Sequence, residues 1–228
     1  MTTETQGTDR RLDRYLTLLG LIIITLVLLM LVDFDELESL RRDVALIGVT
    51  LLSAGMLVAA LWTSGAKPRS VRLAMILGGL AVVTGAIAAV TDTAYDPPIL
   101  WVLLLAIAPV MIVRRIFAHD VVTNESILGA IAAFLLIALA FSFFYLLMDS
   151  PGSSLFGSRE PSTAFPYFSL VTITTLGYGD LAPVSEPGRA LATIEAVIGQ
   201  IFLVVIIARI VSQYAGGWRR ARPTGDTS

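Results

Sequence analysis

Six apolar runs leave this chain little choice of solvent: Tyr15–Val32, Val44–Trp62, Leu73–Val90, Ile99–Val113, Ser126–Met148 and Ala190–Ala208. A helix needs about 20 apolar residues to cross the hydrocarbon of a bilayer, with a tolerance of a few. All but the fourth run meet that length easily. The fourth ends at Arg114, but an arginine can snorkel, and Ile116 and Phe117 carry apolar surface beyond it. Pro97 and Pro98 mark its start, and Pro109 predicts a bend. Backbone groups left unpaired in lipid are so costly that each run is expected to close its own hydrogen bonds as a helix. The first run is too long for the apolar core of a signal peptide and lacks a small-residue cleavage site, so it reads as a permanent span. Of the 228 residues 56% are hydrophobic and 15% charged, and a water-soluble domain of this size has no means of hiding that much apolar surface. The expected fold class is an all-α membrane protein with six transmembrane helices.

The loops orient these helices. Arg10, Arg11 and Arg14 precede the first; Lys67, Arg69 and Arg72 lie between the second and third; Arg114 and Arg115 follow the fourth; Arg219, Arg220 and Arg222 follow the sixth. Between these basic stretches fall Asp33, Asp35, Glu36 and Glu38, then Asp92 and Asp96. Basic loops stay in the cytoplasm, which predicts a multi-pass protein of the plasma membrane with both termini cytoplasmic. Arg41, Arg42 and Arg159 run against this trend.

Composition also removes function classes. Without cysteine there are no disulfides, thiolate nucleophiles or zinc–thiolate sites. The single histidine, His119, stands in the basic stretch that begins at Arg114 and reads as a solvated interface residue. A net charge of −2 implies no nucleic-acid partner. No nucleophile–base pair, metal cluster or phosphate loop is readable, and Asp120 and Glu125 read as helix-start residues, so no enzyme activity and no cofactor are expected. Three parts are expected: a four-helix region over 1–122, a functional unit over 123–215, and a short polar tail over 216–228, too short for a folded cytoplasmic domain.

The chemistry lies between the fifth and sixth runs. Residues 165–180 read Phe-Pro-Tyr-Phe-Ser-Leu-Val-Thr-Ile-Thr-Thr-Leu-Gly-Tyr-Gly-Asp. Thr172, followed by Thr174, Thr175, Leu176, Gly177, Tyr178, Gly179 and Asp180, resembles the selectivity filter of the potassium-channel superfamily. The close match covers roughly Tyr167 to Ser212, and the broader architecture begins near Thr123. The resemblance implies a re-entrant pore helix and filter between the fifth and sixth helices. It assigns K+ to the backbone carbonyls of Thr175, Leu176, Gly177 and Tyr178, with the Thr175 hydroxyl completing the innermost site. Aiming consecutive carbonyls one way needs positive φ at some positions, which Gly177 and Gly179 tolerate. Tyr178 is expected to pack behind the filter, where Tyr167 and Phe168 match the bracing aromatic positions. Ser162 to Thr175 is expected to form the pore helix, capped by Ser162 or Thr163, with its partially negative end toward the ion path. One well-known bacterial channel type pairs a pore-helix glutamate with the filter aspartate. Val171 stands at that position here, so Asp180 needs another partner or water.

Glu195, within the sixth helix, is expected to face protein or water. It is either a contact to the pore helix or filter, protonated or hydrogen-bonded, or a packing group without influence on conduction. Gly199 matches the hinge glycine of the family's inner helix, or else it permits close packing against a neighbouring helix. Gln200 reads as an interhelical hydrogen-bonding group and Arg209 as a snorkelling anchor. Gly48, Ser53, Ala54, Gly55, Gly78, Gly79, Ala81 and Gly85 read as small residues for close helix packing. The fourth run carries no charge from Ile99 to Val113, which predicts a channel without steep voltage sensing. The whole resembles a prokaryotic six-helix, non-voltage-sensing potassium channel. The implied function is passive K+ conduction as a homotetramer in membrane lipid, with K+ as the permeant ion. The rivals are a potassium-uptake transporter and a non-conducting sensor or scaffold subunit.

Overall fold

The structure, a computed structural model, describes residues 2–33, 107–114, 124–149 and 154–220, with isolated positions between 52 and 83. Four helices frame it: α1 (Thr2–Leu31), α2 (Asn124–Met148), α3 (Ala164–Ile173) and α4 (Glu186–Arg220). Residues 107–114 are also helical, through Pro109, and the described residues contain no strand. Three stretches are long and apolar enough to cross a membrane: Leu12–Leu31, Glu125–Met148 and Glu186–Arg209. They match the first, fifth and sixth runs. The second and third runs lie outside the described residues apart from isolated helical positions, as does the start of the fourth.

Two helices outrun their apolar segments. α1 begins at Thr2, well before Tyr15, because no proline interrupts Thr2–Arg14 and a polar helix continues without hindrance once it leaves lipid. α4 runs to Arg220, through Gly216 and Gly217, so part of the stretch expected as a polar tail is helix. Each glycine costs about 1 kcal/mol relative to alanine but leaves the hydrogen-bond ladder intact; the first proline beyond is Pro223.

α2 is the centre of the packing. α1 lies along it, α3 lodges against both α2 and α4, and α1 reaches α3 as well. Leu18, Ile22 and Leu26, each one turn after the last, form the buried stripe of α1. They share a core with Ala132, Ala133, Leu136 and Leu139 of α2, with Ala108 and Ile112, and with Met56 and Ala60. A second cluster sits nearer the end of α2, where Phe141 and Tyr145 meet Leu155, Phe165 and Phe168. Its rings pack edge to face, Tyr145 to Phe168 at 4.9 Å and Phe156 to Phe168 at 5.1 Å. Among the described residues an added Cβ at Gly55 or Gly79 meets nothing within 4 Å, and Gly48, Ser53, Ala54, Gly78, Ala81 and Gly85, the other small residues expected to pack closely, lie outside the described residues.

The outward surfaces are apolar. α1 exposes Ile23, Ile24, Val27 and Leu31, and α4 exposes Ile194, Val197, Ile201, Val204, Ile207 and Val211. A contiguous apolar face of this extent suits lipid or another protein surface, not water. The chain is a membrane protein.

Candidate ion-conduction site

The short helix α3 is set between two loops. Its first turn is closed by the Ala164 amide donating to the Pro161 carbonyl at 2.9 Å. The expected side-chain cap does not form. Thr163 already has helical angles, φ −67° and ψ −20°, whereas a capping side chain needs extended backbone there. Ser162 instead donates its hydroxyl to Asp33 Oδ1 at 3.0 Å, tying the start of α3 to the end of α1. The helix spans Ala164–Ile173, shorter at both ends than the expected Ser162–Thr175. Pro166 is accommodated because amides in the first turn have no partner within the helix.

Past Ile173 the amides turn back onto the end of α3. Thr174 donates to the Leu170 carbonyl at 3.2 Å and Thr175 to the Thr172 carbonyl at 3.0 Å. Leu176 and Gly177 both donate to the Val171 carbonyl, at 3.0 and 3.3 Å. The backbone alternates in handedness: φ is +57° at Thr175, +55° at Gly177 and +80° at Gly179, and the residues between them keep ordinary angles. Alternating right- and left-handed residues turn successive peptide groups the same way, with amides on one side and carbonyls on the other. The amide side faces α3. No carbonyl from Thr175 to Tyr178 accepts a hydrogen bond among the described residues.

The two glycines were legible as the left-handed positions; Thr175 was not. A β-branched residue in that region costs roughly 1–2 kcal/mol. Its hydroxyl donates to the Thr174 carbonyl at 2.7 Å.

Residues 174–180 are all exposed within the protomer. Tyr178 is 67% exposed and Leu176 55%, so the expected packing of Tyr178 behind this segment is not made within one chain. Phe168 is buried, but against Tyr145 and Phe156. The Tyr167 hydroxyl donates to Asp180 Oδ2 at 2.6 Å. That bond holds the exposed Asp180 carboxyl below the usual carboxylate range. Tyr167 is thus the partner that Asp180 lacks at the buried Val171. Thr172 is half-buried and contributes its carbonyl to the turn.

Glu195 is fully buried on the side of α4 that faces α3 and α2. The Tyr145 hydroxyl donates to its Oε2 at 2.5 Å, and Ser169 Oγ lies 2.5 Å from its Oε1. One turn further along α4, a Cβ on Gly199 would come within 2.4 Å of the Ile173 carbonyl oxygen. Position 199 therefore needs a glycine for close approach to α3. Gln200 is exposed within the protomer. Sequence reasoning missed Tyr145 and Ser169; their one signal was polarity within apolar segments. Among the described residues no group of three or more His, Asp or Glu side chains converges as a metal site.

Residues 131–215 match a family model described as ion channel. Over 81 residues the chain is 32% identical to the potassium voltage-gated channel protein shk-1 of Caenorhabditis elegans, covering 33% of this chain and 15% of that protein. Protein LctB of Bacillus caldotenax is 28% identical over 107 residues, 42% of this chain and 78% of its own length. Protein LctB of Geobacillus stearothermophilus is 34% identical over 83 residues, 32% of this chain and 60% of its own. Two apolar helices flanking a short helix and a glycine-rich turn make up the residues that match this ion channel model. These matches support a likeness to the potassium-channel superfamily.

Proposed function

We propose that this chain is a potassium-selective channel subunit that conducts K+ passively as a homotetramer. Residues 174–180 are the selectivity filter, and the carbonyls of Thr175, Leu176, Gly177 and Tyr178 replace the water that K+ sheds. The observation that carries this reading is the alternating backbone, with the amides of Thr174 to Gly177 spent on α3 and the carbonyls of Thr175 to Tyr178 unused in an exposed segment. One strand supplies only part of each oxygen ring, so the ring needs further copies around an axis. Exposed Leu176, Tyr178 and the apolar face of α4 are the surfaces those copies cover. The C-terminal end of α3 adds its partial negative charge beside the path.

In this reading residues 1–122 are a four-helix region and 123–215 the pore domain, and α3 re-enters from outside. The protein sits in the plasma membrane with both termini cytoplasmic, performs no catalysis, and takes no cofactor besides the permeant ion. Voltage has little charge to act on in the fourth span.

A flux assay on purified protein in liposomes tests this. A potassium gradient should drive uptake that sodium does not support, and barium from the cytoplasmic side should block it by lodging near Thr175. Absence of flux would favour a non-conducting subunit, and equal sodium flux would remove the filter assignment.

A further inference from the structure

Glu195, Ser169, Tyr145 and the Ala138 carbonyl form a buried polar chain across α4, α3 and α2. Its three links are Tyr145 Oη to Glu195 Oε2 at 2.5 Å, Glu195 Oε1 to Ser169 Oγ at 2.5 Å, and Ser169 Oγ to the Ala138 oxygen at 2.6 Å. Each link joins two oxygens, so each needs one proton between them. The tyrosine and serine hydroxyls supply one proton apiece. If Glu195 were ionised, one of the three contacts would be two lone pairs pressed together, in a site where Glu195 and Ser169 are fully buried. The Ala138 carbonyl also accepts the Ser142 hydroxyl at 2.9 Å. A third proton, on Glu195, satisfies all three links in one direction: Tyr145 donates to Oε2, Oε1–H donates to Ser169, and Ser169 donates to Ala138. Tyr145 from α2 and Ser169 from α3 are the polar groups that face Glu195, and among the described residues no lysine, arginine or histidine does.

We propose that Glu195 is carried as the neutral acid and acts as a positioning residue, bolting the filter-bearing helix α3 to both flanking helices. Ser169 is one turn before Ile173, and Glu195 one turn before Gly199. The bolt and the close approach at Ile173 therefore lock the same two helix faces in register. Removing the proton leaves a buried charge facing a serine that must abandon either Ala138 or the carboxylate. Alkali is thereby predicted to loosen α3 and the turn that follows it. The consequence for conduction rests on the filter assignment of residues 174–180; the protonation state does not.

Infrared difference spectroscopy of the purified protein, wild type minus Glu195→Gln, tests the neutral acid directly. At neutral pH the wild type should show the carbonyl band of a protonated carboxylic acid, and alkali should replace it with carboxylate bands. Carboxylate bands alone at neutral pH would overturn the proposal, whether or not the protein conducts.

Recordings then test the positioning role. Glutamine reproduces the neutral acid, with one acceptor for Tyr145 and one donor for Ser169. Glu195→Gln should keep the open probability of wild type at neutral pH and lose its decline in alkali. Glu195→Leu, which breaks all contact with both hydroxyls, should lower open probability about tenfold. If Glu195→Gln is as impaired as Glu195→Leu, an ionised carboxylate is required and the proposal fails. If the wild type conducts sodium as readily as potassium, the filter assignment fails instead, and the infrared result stands on its own.

Discussion

The Tyr167 hydroxyl and the Asp180 carboxylate meet at 2.6 Å, joining the first half of α3 to the far end of the glycine-rich turn. The turn is thus held at both ends, by amides at its start and by this side-chain bond at its finish. The bond lowers the Asp180 proton affinity, so its contribution is fully present above the ordinary carboxylate range and is lost as pH falls through the lowered value. Wild-type conduction should therefore survive external acid to below about pH 4, the ordinary aspartate value. In Tyr167→Phe the loss should set in at higher pH, near that ordinary value. Recordings across external pH check this; identical acid profiles for the two proteins would mean that the bond does not support the turn.

Gly199→Ala should destabilise the protein although alanine is the better helix former. The helix gains about 1 kcal/mol. Against that, the new Cβ must displace a backbone oxygen 2.4 Å away, and overpacking of this kind costs roughly 1–3 kcal/mol or more. Thermal denaturation in detergent should show a lower midpoint. An unchanged midpoint with impaired opening would favour a hinge role over close packing.

The lengths of the apolar runs alone located α1, α2 and α4, because a bilayer demands long apolar runs and tolerates few alternatives. The motif located the turn and its two left-handed glycines, since only glycine adopts that backbone freely. Three features were not legible, each for a physical reason. Left-handed Thr175 contradicts its own intrinsic preference and is imposed by the amides around it. Ser162 looked like a helix cap, yet Asp33, distant in sequence, claims its hydroxyl. Glu195 was expected to face either protein or water; its partners Tyr145 and Ser169 come from two other helices, and no spacing rule links positions so far apart.

Voltage should have little grip on this channel. Each elementary charge moved across the full field contributes about 2.3 kcal/mol per 100 mV. The uncharged run from Ile99 ends at Arg114 and Arg115, where a shift crosses little of the field. Open probability against voltage in symmetric potassium should be shallow, and Arg114→Gln with Arg115→Gln should leave it so. A steep curve that the double variant flattens would show that these arginines sense voltage.

Assembly should be fourfold. Native mass spectrometry in mild detergent should find a dominant tetramer of the 24.4 kDa chain. Tyr178→Ala should weaken it, because the 67% exposed ring is then missing from the surface that neighbours cover. A dominant dimer would contradict the model of a closed carbonyl ring.

The most direct test of the central claim is a reversal potential. Purified protein in a planar bilayer, with potassium on one side and sodium on the other, should reverse near the potassium equilibrium potential, as unused carbonyls from Thr175 to Tyr178 require. A reversal near zero would mean that these carbonyls do not select potassium over sodium, and the proposed function would be wrong.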